Sequence, residues 1–198
     1  MSAVDHFALL EEPRRPWLDS GLLQAKFLAR CAATHPDHFH SASQAEKAAA
    51  NARFQAINAA YNCLREPKER LQHLLALERG IPPGDIHDIP PDTADLFLEV
   101  GQHCRGVDVF LTEKERAISP LVKAQLFEQA ADWSGRLTLL QKKITGRLAE
   151  ADATLRSLDL QWQAGTRPFA PLEQLSKHLS YLARWRQQLQ ERLVRLTL

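Results

Sequence analysis

Residues 34–40 read THPDHFH and place three histidines and an aspartate within a single heptapeptide. Imidazole and carboxylate groups at this density suggest a metal site or acid–base chemistry. A metal site needs further ligands, and no paired Cys or His motif accompanies His35, His38 and His40. Catalysis by His35 and Asp37 would need a nearby nucleophile or a phosphate-binding glycine loop. We therefore expect no metal, no cofactor and no enzymatic activity, with an enzyme or metal protein built on these side chains as a weaker alternative.

The elements around this cluster are predicted to be helices. Ala, Leu, Gln, Arg and Glu dominate the composition, and few stretches alternate with the period of a strand. A short helix is expected over residues 5–10. Asp19 or Ser20 can cap a second helix. That helix must end near Thr34, because Pro36 excludes the α conformation from the residue before it.

Two further helices complete an N-terminal domain over residues 1–80. Ser43 and Glu46 form a predicted capping box at the start of the third helix. Pro67 suits the first turn of the fourth helix, and Gly80 suits its C-terminal end. The sequence predicts four helices here, with the long second and third helices antiparallel and joined by the loop that holds the cluster.

The rest of the chain is predicted to be a separate helical domain. Residues 81–91, IPPGDIHDIPP, contain four prolines and a glycine and read as a short, stiff linker. Residues 92–198 then predict an antiparallel bundle of three helices, which makes the chain all-α. We expect these helices at about 92–111, 119–164 and 172–196, with a turn or short helix over 112–118.

Composition limits the classes of function. The net charge is +1, and neither domain has the strongly basic composition that would indicate nucleic-acid binding. A weaker alternative places nucleic acid on the locally basic last helix. The sequence has no apolar run long enough to span a membrane and no signal-peptide pattern at its start. Its three cysteines are far apart and form no Cys-x-x-Cys motif, which argues against disulfides and structural zinc. These features predict a cytoplasmic protein.

Three stretches together resemble a J-domain. They are DHFALL at 5–10, HPD at 35–37 and INAAYNCLREPKERLQHLLAL at 57–77. The SQAE at 43–46, the short DHF start and the DTADLFL that opens the second domain are similar to the HscB family, the co-chaperones of iron–sulfur cluster assembly. HPD alone would recur by chance. HPD between two helices, with the long run at the right distance, is a specific signal.

This resemblance implies binding to an ATPase chaperone of the DnaK/HscA class and stimulation of its ATP hydrolysis. Asp37 would meet a cationic group of the chaperone, Pro36 would fix the shape of the loop, and His35 would orient it. Lys26 and Arg30, at i, i+4 spacing on the second helix, would face an acidic patch. The chain departs from the usual pattern at position 38, which is histidine rather than lysine or arginine.

The resemblance also implies a client site on the first helix of the bundle. Leu96, Phe97 and Val100 correspond to the apolar contacts with the scaffold protein IscU in the HscB family. Periodicity alone favours a core role, because an apolar stripe at this spacing more often packs inward. Gly101 and Cys104 stand where acidic residues are expected, so a J-domain protein with the same architecture and a different client is the alternative hypothesis. The oligomeric state is not predicted.

Overall fold

The computed structural model describes residues 4–34, 43–80 and 93–197. Within these ranges the regular structure is helical, and none of the helices is long and apolar enough to cross a membrane. The helices are α1 (His6–Leu9), α2 (Ser20–Thr34), α3 (Gln44–Arg65), α4 (Pro67–Arg79), α5 (Ala94–Arg116), α6 (Pro120–Gln163) and α7 (Phe169–Thr197).

The predicted signals at the ends of α2, α3 and α4 all form. The Asp19 carboxylate accepts the amide of Leu22 at 2.9 Å, which makes Asp19 rather than Ser20 the cap of α2. Both hydrogen bonds of the capping box between Ser43 and Glu46 are present at the start of α3. Pro67 lies in the first turn of α4, and Gly80 ends that helix in the left-handed conformation at φ 68°.

Two helices of the second half differ from the prediction. Helix α5 continues to Arg116, because Thr112 does not start a new helix: its Oγ1 donates to the Asp108 carbonyl at 2.9 Å inside the existing one. Helix α7 begins at Phe169, about one turn earlier than expected. Pro171 lies in its first turn, where the missing N–H of proline has no cost.

The chain divides into two compact units. One spans Met1–Asp85 and Thr154–Ser176, and the other spans Ile86–Ala153 and Lys177–Leu198. Residues from the adjoining ends of α6 and α7 therefore belong to the first unit. The predicted boundaries at 1–80, 81–91 and 92–198 stay a prediction.

The first unit is organised around α3, which packs against α1, α2 and α4. Arg70 on α4 is buried, and its guanidinium donates to the carbonyls of Leu64 at 2.6 Å and Pro16 at 2.8 Å. It thereby satisfies a carbonyl at the end of α3 that has no partner within the helix. The apolar core of this unit includes Phe7, Leu10, Leu23, Ile57, Ala60, Leu64, Leu71 and Leu74.

A buried carboxylate attaches residues 14–17 to the end of α6 within the same unit. Asp159 is buried and accepts from the Arg15 guanidinium, with Nε at 3.0 Å from Oδ1, and from the Trp17 amide at 3.2 Å. Trp162, one turn later, donates its indole N–H to the Arg14 carbonyl at 2.9 Å. Because an unpaired buried carboxylate is costly, these donors determine where this stretch of chain lies.

The second unit has a core built from α5, α6 and α7. Its fully buried members include Val107, Leu137, Ile144, Leu182 and Leu189. On α5, Gly106 allows a close approach of α6, because a Cβ there would lie 2.5 Å from Cη2 of the half-buried Trp133 ring. Gly101 has more room, since the nearest atom to a Cβ would be the mobile guanidinium of Arg105 at 3.4 Å.

Gly106→Ala and Gly101→Ala should therefore change stability in opposite directions. We expect Gly106→Ala to lower the free energy of unfolding by about 1–3 kcal/mol, because the Trp133 ring must move. Gly101→Ala should raise it by up to ~1 kcal/mol through helix propensity. Urea denaturation of the two variants measures both effects, and a gain in stability from Gly106→Ala would contradict the close approach.

Candidate functional site

The predicted tripeptide His35, Pro36 and Asp37 lies outside the described residues, as do His38 and His40. The structure describes the helix ends on either side of it. Helix α2 ends at Thr34, whose Oγ1 donates to the Arg30 carbonyl at 2.8 Å. Helix α3 begins at Gln44, directly after the Ser43 cap. The tripeptide thus falls in the sequence between the end of α2 and the Ser43 cap of α3.

The two helices that flank this connection are held together by an aromatic stack. The Phe27 ring on α2 lies 4.1 Å from the Tyr61 ring on α3, with 10° between their planes. The Arg65 guanidinium lies 5.7 Å from the centre of the Tyr61 ring. Leu23, one turn before Phe27, is buried. The packing of α2 on α3 includes these side chains.

The two predicted cations on α2 have internal partners. Lys26 Nζ lies 2.8 Å from the Glu12 carboxylate and donates to the Glu11 carbonyl at 2.9 Å. Arg30 forms an ion pair with the Glu11 carboxylate. A hydrogen bond from Arg30, with the positive charge of that group, holds the pKa of Glu11 below its usual value. Part of the positive charge expected to face a partner is therefore balanced within the chain.

These two glutamates follow α1 in a tight turn that brings them to α2. Glu11 has a left-handed backbone, with φ 52°, and its amide donates to the Ala8 carbonyl at 3.2 Å. The Glu12 amide donates to the Phe7 carbonyl at 2.9 Å. The prolines at 13 and 16 indicated a break at this point, but no local pattern showed that the turn would meet Lys26 and Arg30.

The three residues predicted to bind a client are not equally accessible. Leu96 and Val100 are 8% and 2% exposed and belong to the core of the second unit. Phe97 is 41% exposed, and its ring lies 6.3 Å from that of Trp185 on α7. The core role that periodicity favours therefore holds for Leu96 and Val100. Client binding by this stripe stays a prediction, now with only Phe97 available on the surface.

Polar side chains lie further along the same pair of helices. Arg192 on α7 makes a two-pronged ion pair with Asp108 on α5, with Nε–Oδ1 and Nη2–Oδ2 distances of 3.0 and 2.7 Å. At the other side of α5, Lys143 Nζ lies 2.5 Å from Glu99. Glu99, two residues after the exposed Phe97, is thus already paired.

One group of potential ligands escaped the sequence analysis. His6 on α1, Cys63 on α3 and His73 on α4 come together, with one ligand atom of each within 4.8 Å of the others. No motif spacing could reveal them, because each comes from a different helix and the metal patterns readable in a sequence are local.

Comparison with known proteins supports the predicted architecture. No protein-family model matches the chain. The solved structure of chaperone HscB from Vibrio cholerae is similar with a TM-score of 0.63 and 22% sequence identity, covering 95% of this chain and 96% of that one. The structure of human co-chaperone protein HscB gives a TM-score of 0.64 and 18% identity, covering 95% and 81%.

The chain has the fold of the HscB chaperones. The predicted all-α fold is confirmed, with an N-terminal J-like domain and a C-terminal helical bundle. HscB structures match along nearly the whole length of this chain. The resemblance seen in the sequence, which was strongest over residues 5–80, therefore extends through the bundle at the level of the fold.

Proposed function

We propose that this chain is a co-chaperone that stimulates the ATPase of a DnaK/HscA-class chaperone through His35, Pro36 and Asp37. The proposal rests on the agreement of a sequence motif with the fold. HPD falls in the connection between α2 and α3 of a chain whose fold is that of HscB. The capped start of α3 and the aromatic stack between α2 and α3 support the packing of the two helices that flank the motif in the sequence. In this role the chain activates a partner's hydrolysis and catalyses no reaction itself.

Asp37→Asn tests this role. We expect the variant to lower stimulation of the chaperone's ATP turnover by about tenfold or more, because it replaces a charge-assisted hydrogen bond with a neutral one. His35→Gln should have a similar effect. Single-turnover ATP hydrolysis by the chaperone is the measurement, with circular dichroism as the check that each variant is folded.

His40→Gln is the matched control, because it changes a histidine in the same segment but outside the tripeptide. This variant should stimulate as the parent chain does. Full stimulation by Asp37→Asn would exclude the proposed role of the tripeptide.

We further propose that Lys26 and Arg30 guide association with an acidic surface of the chaperone. Their internal pairing with Glu12 and Glu11 lowers the charge that they offer. Glu11→Gln releases Arg30 and should tighten binding about two- to fivefold at low salt, the range expected for an exposed ion pair. Arg30→Gln should weaken binding.

Binding of the two variants is compared by fluorescence anisotropy at low and high salt. The difference should shrink as salt rises, because exposed charges are screened. Equal affinities for both variants at low salt would show that α2 does not contribute to association electrostatically.

The client that we propose is an iron–sulfur scaffold of the IscU type, bound by the first helix of the C-terminal bundle. Phe97 is the accessible member of the predicted set. The burial of Leu96 and Val100 favours the second candidate, a co-chaperone with the same architecture and a client unrelated to iron–sulfur clusters.

Binding of an IscU-type scaffold separates the two candidates. If the scaffold is the client, Phe97→Ala should weaken binding about tenfold or more, as expected for a central aromatic contact. Leu98→Ala is the matched control, because Leu98 is the next residue on α5 and is 57% exposed. Calorimetric titration gives the affinities. Absence of binding by the parent chain would favour the second candidate.

A further inference from the structure

His6, Cys63 and His73 form a compact cluster inside the first unit, away from the HPD segment in sequence. They lie on α1, on α3 and on α4, and all three are half-buried. The ring centres of His6 and His73 are 4.5 Å apart. The Phe7 ring also stacks on the His73 ring, with their centres 5.7 Å apart. The cluster is therefore held by the packing of three helices, which positions its donor atoms before any ligand binds.

The donor atoms of the cluster are incompletely used. His6 Nδ1 is buried and has no hydrogen-bond partner. The Cys63 thiol donates a weak hydrogen bond to the Glu69 carbonyl, with Sγ and the oxygen 3.7 Å apart. His73 Nε2 accepts the His6 amide at 3.1 Å, which leaves the proton of the neutral ring on Nδ1. A buried ring nitrogen without a partner is uncommon in folded proteins, and His6 Nδ1 is available to a ligand.

Burial lowers the pKa of His6 and of His73, which favours the neutral form of each ring. The neutral imidazole is the form that binds metals. Burial, with the negative charge of Glu69, raises the pKa of Cys63 to about 11. The thiol is therefore protonated until a cation arrives, and binding would release its proton to solvent.

We propose that His6, Cys63 and His73 bind one Zn²⁺ ion, which joins α1, α3 and α4. One thiolate and two imidazoles are a donor set that suits zinc, and not the oxygen-seeking Mg²⁺ or Ca²⁺. Tetrahedral zinc places its ligands roughly 3.5 Å apart, so donor atoms within 4.8 Å need to close by about 1 Å. At His73 the ion would bind Nε2 in place of the hydrogen bond from the His6 amide, and the ring proton would stay on Nδ1.

The fourth ligand of the proposed site is water. Two carboxylates lie near the cluster along the chain. Asp5 is already occupied, since Oδ1 accepts the Phe7 amide at 3.0 Å and Oδ2 accepts the Arg14 side chain at 2.7 and 2.9 Å. The Glu69 carboxylate is paired with Lys68 at 3.1 Å. Three protein ligands and a water give an open zinc site, which exchanges its metal more readily than a closed one. The ion would stabilise the unit that carries the proposed chaperone contacts without depending on that function.

Cobalt titration tests the site, because Co²⁺ bound to a thiolate gives a charge-transfer band in the near ultraviolet. The probe is Co²⁺ alone, added to untagged, chelator-treated protein. We expect one equivalent to produce the band, Zn²⁺ to abolish it by displacement, and Zn²⁺ to raise the midpoint of thermal unfolding.

Four variants locate the binding. Cys63→Ala should lose the band and the thermal shift, while Cys31→Ala, a control at another half-buried cysteine of the same unit, should keep both. His6→Phe should weaken Co²⁺ binding at least tenfold. A His38→Gln, His40→Gln double variant should keep the band, since those histidines offer no thiolate. Circular dichroism confirms that Cys63→Ala is folded. Absence of the band in the parent chain, or its survival in Cys63→Ala, would overturn the proposal.

Discussion

Helix α3 must bury its apolar side, and the first unit depends on how it does so. Ala50, Ile57, Ala60 and Leu64 are buried along this helix, and α1, α2 and α4 all pack against it. Any loss of that packing would release α2 from Tyr61 and separate the two helix ends that flank the HPD segment. The packing of α2 on α3, which carry the helix ends on either side of the motif, thus depends on α3.

The same helix places Cys63 beside α1 and α4, so the proposed chaperone contacts and the proposed zinc site share one support. Arg70, on α4, donates a hydrogen bond to the Leu64 carbonyl at the end of α3. Asp159 and Trp162, from the end of α6, hold residues 14–17 of the same unit. Because these polar groups are buried, each bond excludes alternative packings that would leave a donor or acceptor unpaired.

Sequence signals that act within one helical turn correctly predicted several helix ends. The Ser43 capping box, Pro67 and Gly80 lie where the sequence placed them, because each acts within one turn of a helix. The expected turn or short helix over 112–118 was wrong at its start, since the Thr112 hydroxyl can cap a helix or bond to the preceding turn and here does the latter. Periodicity likewise grouped Leu96 with Phe97, although one packs inward and the other lies half-exposed against Trp185.

The features that the sequence did not predict join residues far apart in the chain. The Arg15–Asp159 pair, the contacts of Glu11 with α2, and the meeting of His6, Cys63 and His73 depend on tertiary packing alone. The HPD motif was readable because its three residues are adjacent and its helices carry their own signals. Its resemblance to the HscB family, rather than its chemistry, indicated a partner.

Contact between residues 35–37 and an ATPase chaperone is tested most directly by hydrogen–deuterium exchange of this chain with the ATP-bound chaperone. Slower exchange is predicted from about Lys26 on α2 through the first turn of α3, and Asp37→Asn should abolish it. Unchanged exchange in this stretch at saturating chaperone, or slowing confined to α6 and α7, would contradict the proposed role of the HPD segment.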